Sequence, residues 1–574
     1  MAERHDALDR RHFLTAAGLA AGVSALAPNL PATFARLQQA EDESEAEAPP
    51  GIDLHTLLEG QKLLAIEFTQ SEREQMLESV RQQAQFWEQI RGYGLQNDEG
   101  PACVFDPRLP GVEYGDGEPR FAHRDAAPGS LPSSEEDIAY APVSHLAHWV
   151  RTRQISSVDL TNLSLTRLRR LNAQLECVVT FTEQRALEQA RKADEEIAAG
   201  QYRGPLHGLP WGAKDLLDTK GIPTTWGAEP YKGRIPDQDA AVVERLDAAG
   251  AVLIAKLSMG ALAYGDIWFG GRTNNPWDLE QGSSGSSAGS ASATAAGCVA
   301  FSIGTETYGS IGSPSARCGA TGFRPSFGRV SRHGAMALCW SLDKIGPICR
   351  TAECCSSVLE AIAGADARDA WSIDMPLAID MTRSVQGARI GYVEADYESP
   401  RVSDEDKLVL DTLRALGCEL VPIEIPDHPY GQFIFTTILI EATAAFDELT
   451  LQNLDDQMKW QEDRAWPNSF RAARFMPATE FFQSQRVRRR FMKIAHGLFE
   501  NVDAVVAPQA HGAMHALTNM TGQPAITMRT GFRDDGTPRA VTLWGGFSRD
   551  GTLLNIGSAL ERELDLWSKR PALS

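Results

Sequence analysis

The sequence predicts an α/β protein built on one large, mostly parallel but mixed sheet covered by helices on both faces. Three observations lead there. From about Asp137 onward, amphipathic segments of helical period alternate with short apolar runs of strand length. The clearest of those runs, Ala251-Val-Leu-Ile-Ala255, is apolar throughout, as a strand buried on both faces must be. Glycines such as Gly200 and Gly250 stand where a helix closes and a strand begins.

The chain has 574 residues, with 55 Lys and Arg against 76 Asp and Glu, a formal net charge of −21. At 43% hydrophobic it has enough apolar material to offset chain entropy, so disorder throughout is excluded. No period recurs, which excludes a repeat or fibrous protein. The acidic balance argues against a general nucleic-acid binder, which needs Lys and Arg to neutralise phosphates. The nine cysteines, odd in number, fit neither a CxxC metal site nor a disulfide framework and read as buried core thiols. The twelve histidines are scattered without acidic partners at ligand spacing, which argues against a metal enzyme.

Residues 1–35 read as an address label. Arg10-Arg11-His12-Phe13-Leu14 precedes a charge-free run, Thr15 to Ala27. That run is too short for a stable membrane span, which needs about 20 residues. The paired arginines followed by Phe-Leu resemble the bacterial twin-arginine export signal, which implies a periplasmic or extracellular destination. Residues 36–50 are an acidic, proline-ended linker. Residues 51–136 form a helical extension and an arm. Thr69 and Glu72 make a capping-box pattern, Met76, Val80, Ala84 and Trp87 recur at helical spacing, and Gly92 fits the end. Residues 93–135, rich in Pro, Gly and Asp, read as an extended arm lying across the main body.

Residues 137–574 are the main domain. Ser156–Leu171 and Thr182–Ala199 are predicted helices, and Leu206–Ala213 is a short apolar segment. A helix from Asp239 leads through Gly250 into the strand at Ala251. Arg389–Val393, Ala504–Ala507 and Val541–Trp544 are later strands. Strand–helix–strand order implies right-handed crossovers and a parallel sheet.

The most unusual composition is Gly282-Ser-Ser-Gly-Ser-Ser-Ala-Gly-Ser-Ala-Ser292, with Phe301–Ser310 following. A flexible linker is excluded by the ordered-looking flanks. A phosphate loop is excluded because no Gly-Lys-Ser/Thr follows. What remains is a tight loop at a helix start, where backbone N–H groups can face a developing negative charge.

Here the sequence resembles the amidase signature family, over about residues 137–565. The matches are Gly212-Ala-Lys214-Asp215, Gly285-Ser286-Ser287-Ala288-Gly289-Ser290 and Thr307-Tyr308-Gly309-Ser310-Ile311, with Ser286 and Ser310 24 residues apart. Asn275-Pro-Trp-Asp278, Cys318-Gly319, Gly322-Phe-Arg-Pro325, Gly328–Ser331, Asp343–Pro347 and Gly522-Gln-Pro524 agree as well.

The resemblance implies an amidase signature fold and a Ser-Ser-Lys triad. Ser310 would be the nucleophile, Ser286, after a cis peptide bond, the proton relay, and Lys214 the base. The N–H groups of Thr307, Tyr308, Gly309 and Ser310 would form the oxyanion hole. An ordinary lysine titrates near pH 10.4, so burial must hold Lys214 neutral. Lys214 has a structural alternative as an ion-pair partner of Asp215. Ser283, Ser284 and Ser287 compete with Ser286, and Ser313 with Ser310. Tyr308 stands where the family usually has glycine, Gly312 where many members have arginine, and Ala288 replaces a loop glycine. A positive φ at Tyr308 would mean strain, and a negative one a narrowed pocket.

The reading is an exported serine amidohydrolase that cleaves a small-molecule carboxamide, and by extension an ester, through an acyl-enzyme. It needs no metal or organic cofactor, binds no nucleic acid, spans no membrane and is compatible with a homodimer. Trp268, Phe269, Met336 and Trp340 are candidate walls of an apolar acyl pocket or ordinary core. Two alternatives stand beside it. One is the A-type subunit of a glutamine-dependent amidotransferase. The other is a non-catalytic binding protein, which predicts loss of a triad residue, and none is missing.

Overall fold

The structure is a computed structural model, describing residues 51–574 apart from 116, 125–127, 400–401, 509–511, 567 and 574. Residues 1–50, with the expected export signal and linker, lie outside the described residues. The chain divides into two compact units, the first reaching Leu95 and the second running Gln96–Ser574.

In the first unit, helices span Leu54–Leu64 and Gln70–Arg91. The second starts as the capping pattern predicts. Thr69 N donates to Glu72 Oε2 at 2.7 Å, and Glu72 N donates back to Thr69 Oγ1 at 3.3 Å. Its apolar row is only half covered, with Phe86, Trp87 and Ile90 exposed.

The second unit is organised by an eleven-stranded sheet. In chain order its strands are β1 (Val178–Phe181), β2 (Pro210–Lys214), β3 (Val252–Leu257), β4 (Phe301–Glu306), β5 (Thr321–Arg324) and β6 (Lys344–Cys349). Then follow β7 (Arg389–Tyr392), β8 (Glu419–Pro422), β9 (Ala504–Pro508), β10 (Ala525–Phe532) and β11 (Pro538–Gly545). Their spatial order is β8-β7-β9-β11-β10-β5-β6-β4-β2-β3-β1. Every residue of β2, β3, β4 and β6 is buried, so both faces of the sheet are covered there.

The sheet is large and mixed as expected, but the balance differs from "mostly parallel". Pairing is parallel in β8-β7-β9 and in β4-β2-β3. Every other pairing is antiparallel, including the whole middle of the sheet. The strand–helix–strand pattern that implies parallel pairing is clear in the segment containing β2 and β3. It fails downstream, where β10 and β11 are joined by the short Arg533–Thr537 turn of a hairpin, closed by Arg533 N donating to Thr537 O.

The predicted helices form with small boundary shifts: Ser157–Leu175 capped by Ser156, Glu183–Ala198, and Ala241–Ala248 before Gly250. The arm from Gln96 onward belongs to the second unit. Its short strand Arg120–Ala122 pairs in parallel with Ala378–Asp380. Asn97 exchanges hydrogen bonds with the backbone of Ala337, and the Phe105 ring packs edge-on to Phe327.

One buried ion pair fixes the segment of the body that leads into the arm's partner strand. Asp550, fully buried, accepts from Ser326 N at 2.8 Å and from Arg329 NH2 at 3.1 Å. Arg329 NH1 in turn donates to the carbonyls of Met375 and Pro376, just before the arm's partner strand. Asp550→Ala leaves a buried guanidinium and a buried N–H without their acceptor. It is expected to cost about 3–5 kcal/mol, read as a lowered urea midpoint.

Candidate active site

The site forms where β2 and β4, parallel neighbours, reach their carboxyl ends. β2 ends at Lys214, and beyond β4 lies the loop Thr307–Ile311 that enters helix Gly312–Cys318. A second loop, Gly282–Ser287, enters helix Ala288–Ala295. The two loops are joined by Ser287 N donating to Ser310 O at 3.1 Å.

Lys214 is completely buried. Its Nζ lies 2.8 Å from Ser286 Oγ, 2.8 Å from Thr305 Oγ1 and 3.1 Å from Ser287 Oγ. Burial lowers its pKa to about 7, against the opposing pull of Asp343 and Glu306. Lys214 is therefore no partner of Asp215. That carboxylate turns to Lys256, 3.3 Å away, and accepts from Thr225 N.

The competing serines are separated by what their hydroxyls touch. Ser287 Oγ donates to Thr305 O and accepts from Thr305 N. Ser283 Oγ donates to Ser284 O, while Ser284 and Ser313 bond each other at 2.7 Å. Ser286 Oγ has Lys214 as its hydrogen-bond partner, and its peptide bond with Gly285 is cis, as the resemblance implies. Ser310 lines a cavity of about 770 Å³.

The N–H groups of Thr307, Tyr308, Gly309 and Ser310 donate to no protein acceptor among the described residues. Those of Ile311 and Gly312 both donate to Glu306 Oε2, at 2.9 and 3.0 Å. Glu306 also accepts from Arg324 and Asn519. Burial alone would raise its pKa, but Arg324, His515 and these N–H groups hold it well below the usual carboxylate range. A fixed carboxylate thus anchors the loop that carries Ser310. Sequence reasoning passed over Glu306, although an acid directly before the Thr-Tyr-Gly-Ser motif was a readable signal.

Tyr308 is free of the feared strain, because the positive φ of 89° falls on Gly309. A Cβ on Gly309 would also stand 3.0 Å from His515 Nε2. The Tyr308 ring lies 5.5 Å from Phe435 and 5.2 Å from His515, and narrows the cavity. Gly312 faces Thr527 Oγ1, which would meet a Cβ at 3.0 Å.

The expected pocket walls need correction. Trp268 packs in the core, and Phe269 stacks edge-on against it. Met336 and Trp340 line an adjoining cavity, beside Arg332 and Asp369, that shares Ala263, Thr307 and Leu338 with the one at Ser310. The apolar wall near Ser310 comes instead from Tyr308, Leu338, Phe435, Ile438, Leu439 and Trp466. Three of these sit on the helix Tyr430–Ala445, whose register against the site depends on tertiary packing. Its apolar run Phe433-Ile-Phe-Thr-Thr-Ile-Leu-Ile440 was the available signal.

A mixed α/β sheet whose strand ends hold a buried lysine, a cis-linked serine and a cavity-lining serine beside unengaged backbone N–H groups brings together the groups that a serine-type acyl transfer would need. The profile of the family described as Amidase matches residues 159–554, and the chain belongs to that family. It is 34% identical over 469 residues to the A-type subunit of the glutamyl-tRNA(Gln) amidotransferase of Roseiflexus sp. (strain RS-1), covering 73% of this chain and 96% of that protein. The corresponding protein of Methylococcus capsulatus (strain ATCC 33009 / NCIMB 11132 / Bath) is 32% identical, over 75% of this chain and 98% of its own. Among solved structures, the native peptide amidase from Stenotrophomonas maltophilia aligns with a TM-score of 0.67 at 27% identity, over 75% of this chain and 98% of that one. The names of the sequence relatives agree with the amidotransferase alternative more closely than with an exported amidohydrolase.

Proposed function

We propose that this protein cleaves a carboxamide C–N bond through an acyl-enzyme on Ser310. The observation that carries the reading is a buried Lys214, neutral above about pH 7, within 2.8 Å of Ser286 Oγ. Ser310 Oγ attacks the carbonyl carbon as its proton passes to Ser286 and the Ser286 proton passes to Lys214. Negative charge on the carbonyl oxygen is received by the N–H groups of the 307–310 loop. The relay then runs backwards to protonate the departing nitrogen, which is a poor leaving group as an anion. Water entering by the same relay releases the acid. The test is intact-mass analysis and peptide mapping after treatment with a small sulfonyl fluoride. One adduct, on Ser310, is expected, and an adduct elsewhere would move the nucleophile.

For the amide donor, the curated relatives support an amidotransferase A-type subunit. Glutamine would then supply the carboxamide, and the ammonia would pass to an acceptor held by partner subunits. With a net charge of −21, contacts to a tRNA backbone would fall mainly to those partners. Glutaminase activity that rises with a partner subunit is the expected sign.

The aromatic and aliphatic wall of the cavity, together with Gly312 in place of the family's usual arginine, supports a second reading: hydrolysis of an apolar amide without an acceptor. Under that reading apolar primary amides outrun glutamine, with no response to a partner.

Export belongs to the second reading and rests on Arg10-Arg11. Replacing the pair with Lys-Lys is expected to strand the precursor in the cytoplasm. Unchanged export on cell fractionation would remove the twin-arginine assignment.

A further inference from the structure

The cavity at Ser310 contains one feature that the acyl-transfer chemistry does not use, the carboxylate of Asp266. Asp266 lies between the short helical turn Ala261–Ala263 and the strand Ile267–Trp268. It is half-buried, and its position is fixed from two sides. Oδ2 accepts from Ser284 N at 3.0 Å, and the backbone carbonyl accepts from Thr273 N at 3.1 Å. The Ser284 contact ties it to the loop that carries Ser286 two residues later. A Cβ on Gly282 of the same loop would stand 2.1 Å from Asp266 Oδ2, so a larger residue there would displace the carboxylate.

Among the described residues no cation pairs with Asp266. Three arginines line the same cavity, and each is engaged elsewhere. Arg272 donates to Asn274 Oδ1 and to Glu280 O, Arg317 to Gln281 Oε1, and Arg464 pairs with Glu462. All three are exposed, at the rim. A carboxylate fixed on the wall of the cavity and without a cation of its own offers an acceptor for a positive group of a bound molecule. The rim arginines would repel a simple cationic ligand but tolerate one that also carries a carboxylate or an apolar body.

We infer that Asp266 is a specificity-determining residue that receives the ammonium group of an amino-acid carboxamide whose carbonyl carbon is presented to Ser310. The inference rests on Ser310 being the nucleophile. In glutamine the ammonium stands four bonds from the carboxamide carbon and in an α-amino-acid amide two, so Asp266, fixed in one place, serves one of the two donors and not both.

Two matched substrate pairs test it in the full-length protein. The first is L-glutamine against glutaramate, the same chain without its amino group. The second is L-leucinamide against 4-methylpentanamide. In the wild type, kcat/KM for the ammonium-bearing member of the pair that is turned over is expected to exceed its partner's by about tenfold or more. In Asp266→Asn the ratio is expected to fall close to one. A ratio near one in the wild type, or an unchanged ratio in the variant, overturns the proposal. Sulfonyl fluoride labelling of Ser310 in both proteins reports separately on the nucleophile.

Calorimetric binding of the same pairs to Ser310→Ala protein reads the Asp266 contact without turnover. Equal binding of the two members, or no binding of either, also overturns the proposal. If Asp266→Asn fails to fold, Asp266→Ser is measured in its place, with the same ratio deciding.

Discussion

Ser310→Ala is expected to abolish amide turnover and covalent labelling together, with kcat falling by at least about a thousandfold. The magnitude follows from the relay. In the proposed relay Lys214 and Ser286 act on the substrate only by moving the Ser310 proton, so removing the hydroxyl leaves them without a task. What survives is binding and the N–H groups of the 307–310 loop. Stability should barely change, because Ser310 Oγ has no hydrogen-bond partner among the described residues and the residue is joined to the body through its backbone. The check is steady-state kinetics, intact-mass labelling and thermal unfolding on one preparation. Substantial turnover in a folded Ser310→Ala protein would place the nucleophile elsewhere.

Lys214→Met should cost nearly as much, again about a thousandfold, and the wild-type pH profile should identify the same group. The lysine must be neutral to accept a proton, and burial lowers its pKa from 10.5 to about 7. Acting alone, it makes kcat/KM rise tenfold per pH unit below about 7 and level off above. A profile flat from pH 5.5 to 9 would contradict this. Methionine keeps most of the packing volume, so a folded, inactive variant separates chemistry from stability.

The same shift has a linkage consequence. Between about pH 7 and 10.5 the unfolded chain binds a proton at this lysine that the folded chain does not. At this site, stability therefore rises with pH across that window, and the full penalty is present below it. Lys214→Met should remove that part of the pH dependence of unfolding.

Much of the fold was legible because its signals are local. The helices beginning after Thr69 and Ser156 carry side chains that cap their own N–H groups, and the continuous apolar run at Ala251–Ala255 permits little besides a buried strand. The parallel bias was a true reading of the segment containing β2 and β3, wrongly extended to the middle of the sheet. Pairing direction there depends on which distant strands meet, such as Lys344 with Glu306 or Gly322 with Thr527, and no local pattern encodes it. Most of the walls of the cavity at Ser310 were not legible for a related reason. Trp268 and Trp340 are near the signature in sequence, but Phe435, Ile438 and Trp466 are near it in space.

By itself the sequence named the candidate reacting groups: the order, spacing and type of Lys214, Ser286 and Ser310 are fixed along the chain, and the proposed proton relay needs those residue types. Only the tertiary structure decided their states. Burial favours a neutral Lys214 facing Ser286 rather than a partner of Asp215, and a bond to Thr305 sets Ser287 apart from Ser286. Glu306, far from the surface, fixes the backbone in front of Ser310. Desolvation and hydrogen-bond competition depend on everything that surrounds a group, and those surroundings come from parts of the chain hundreds of residues apart.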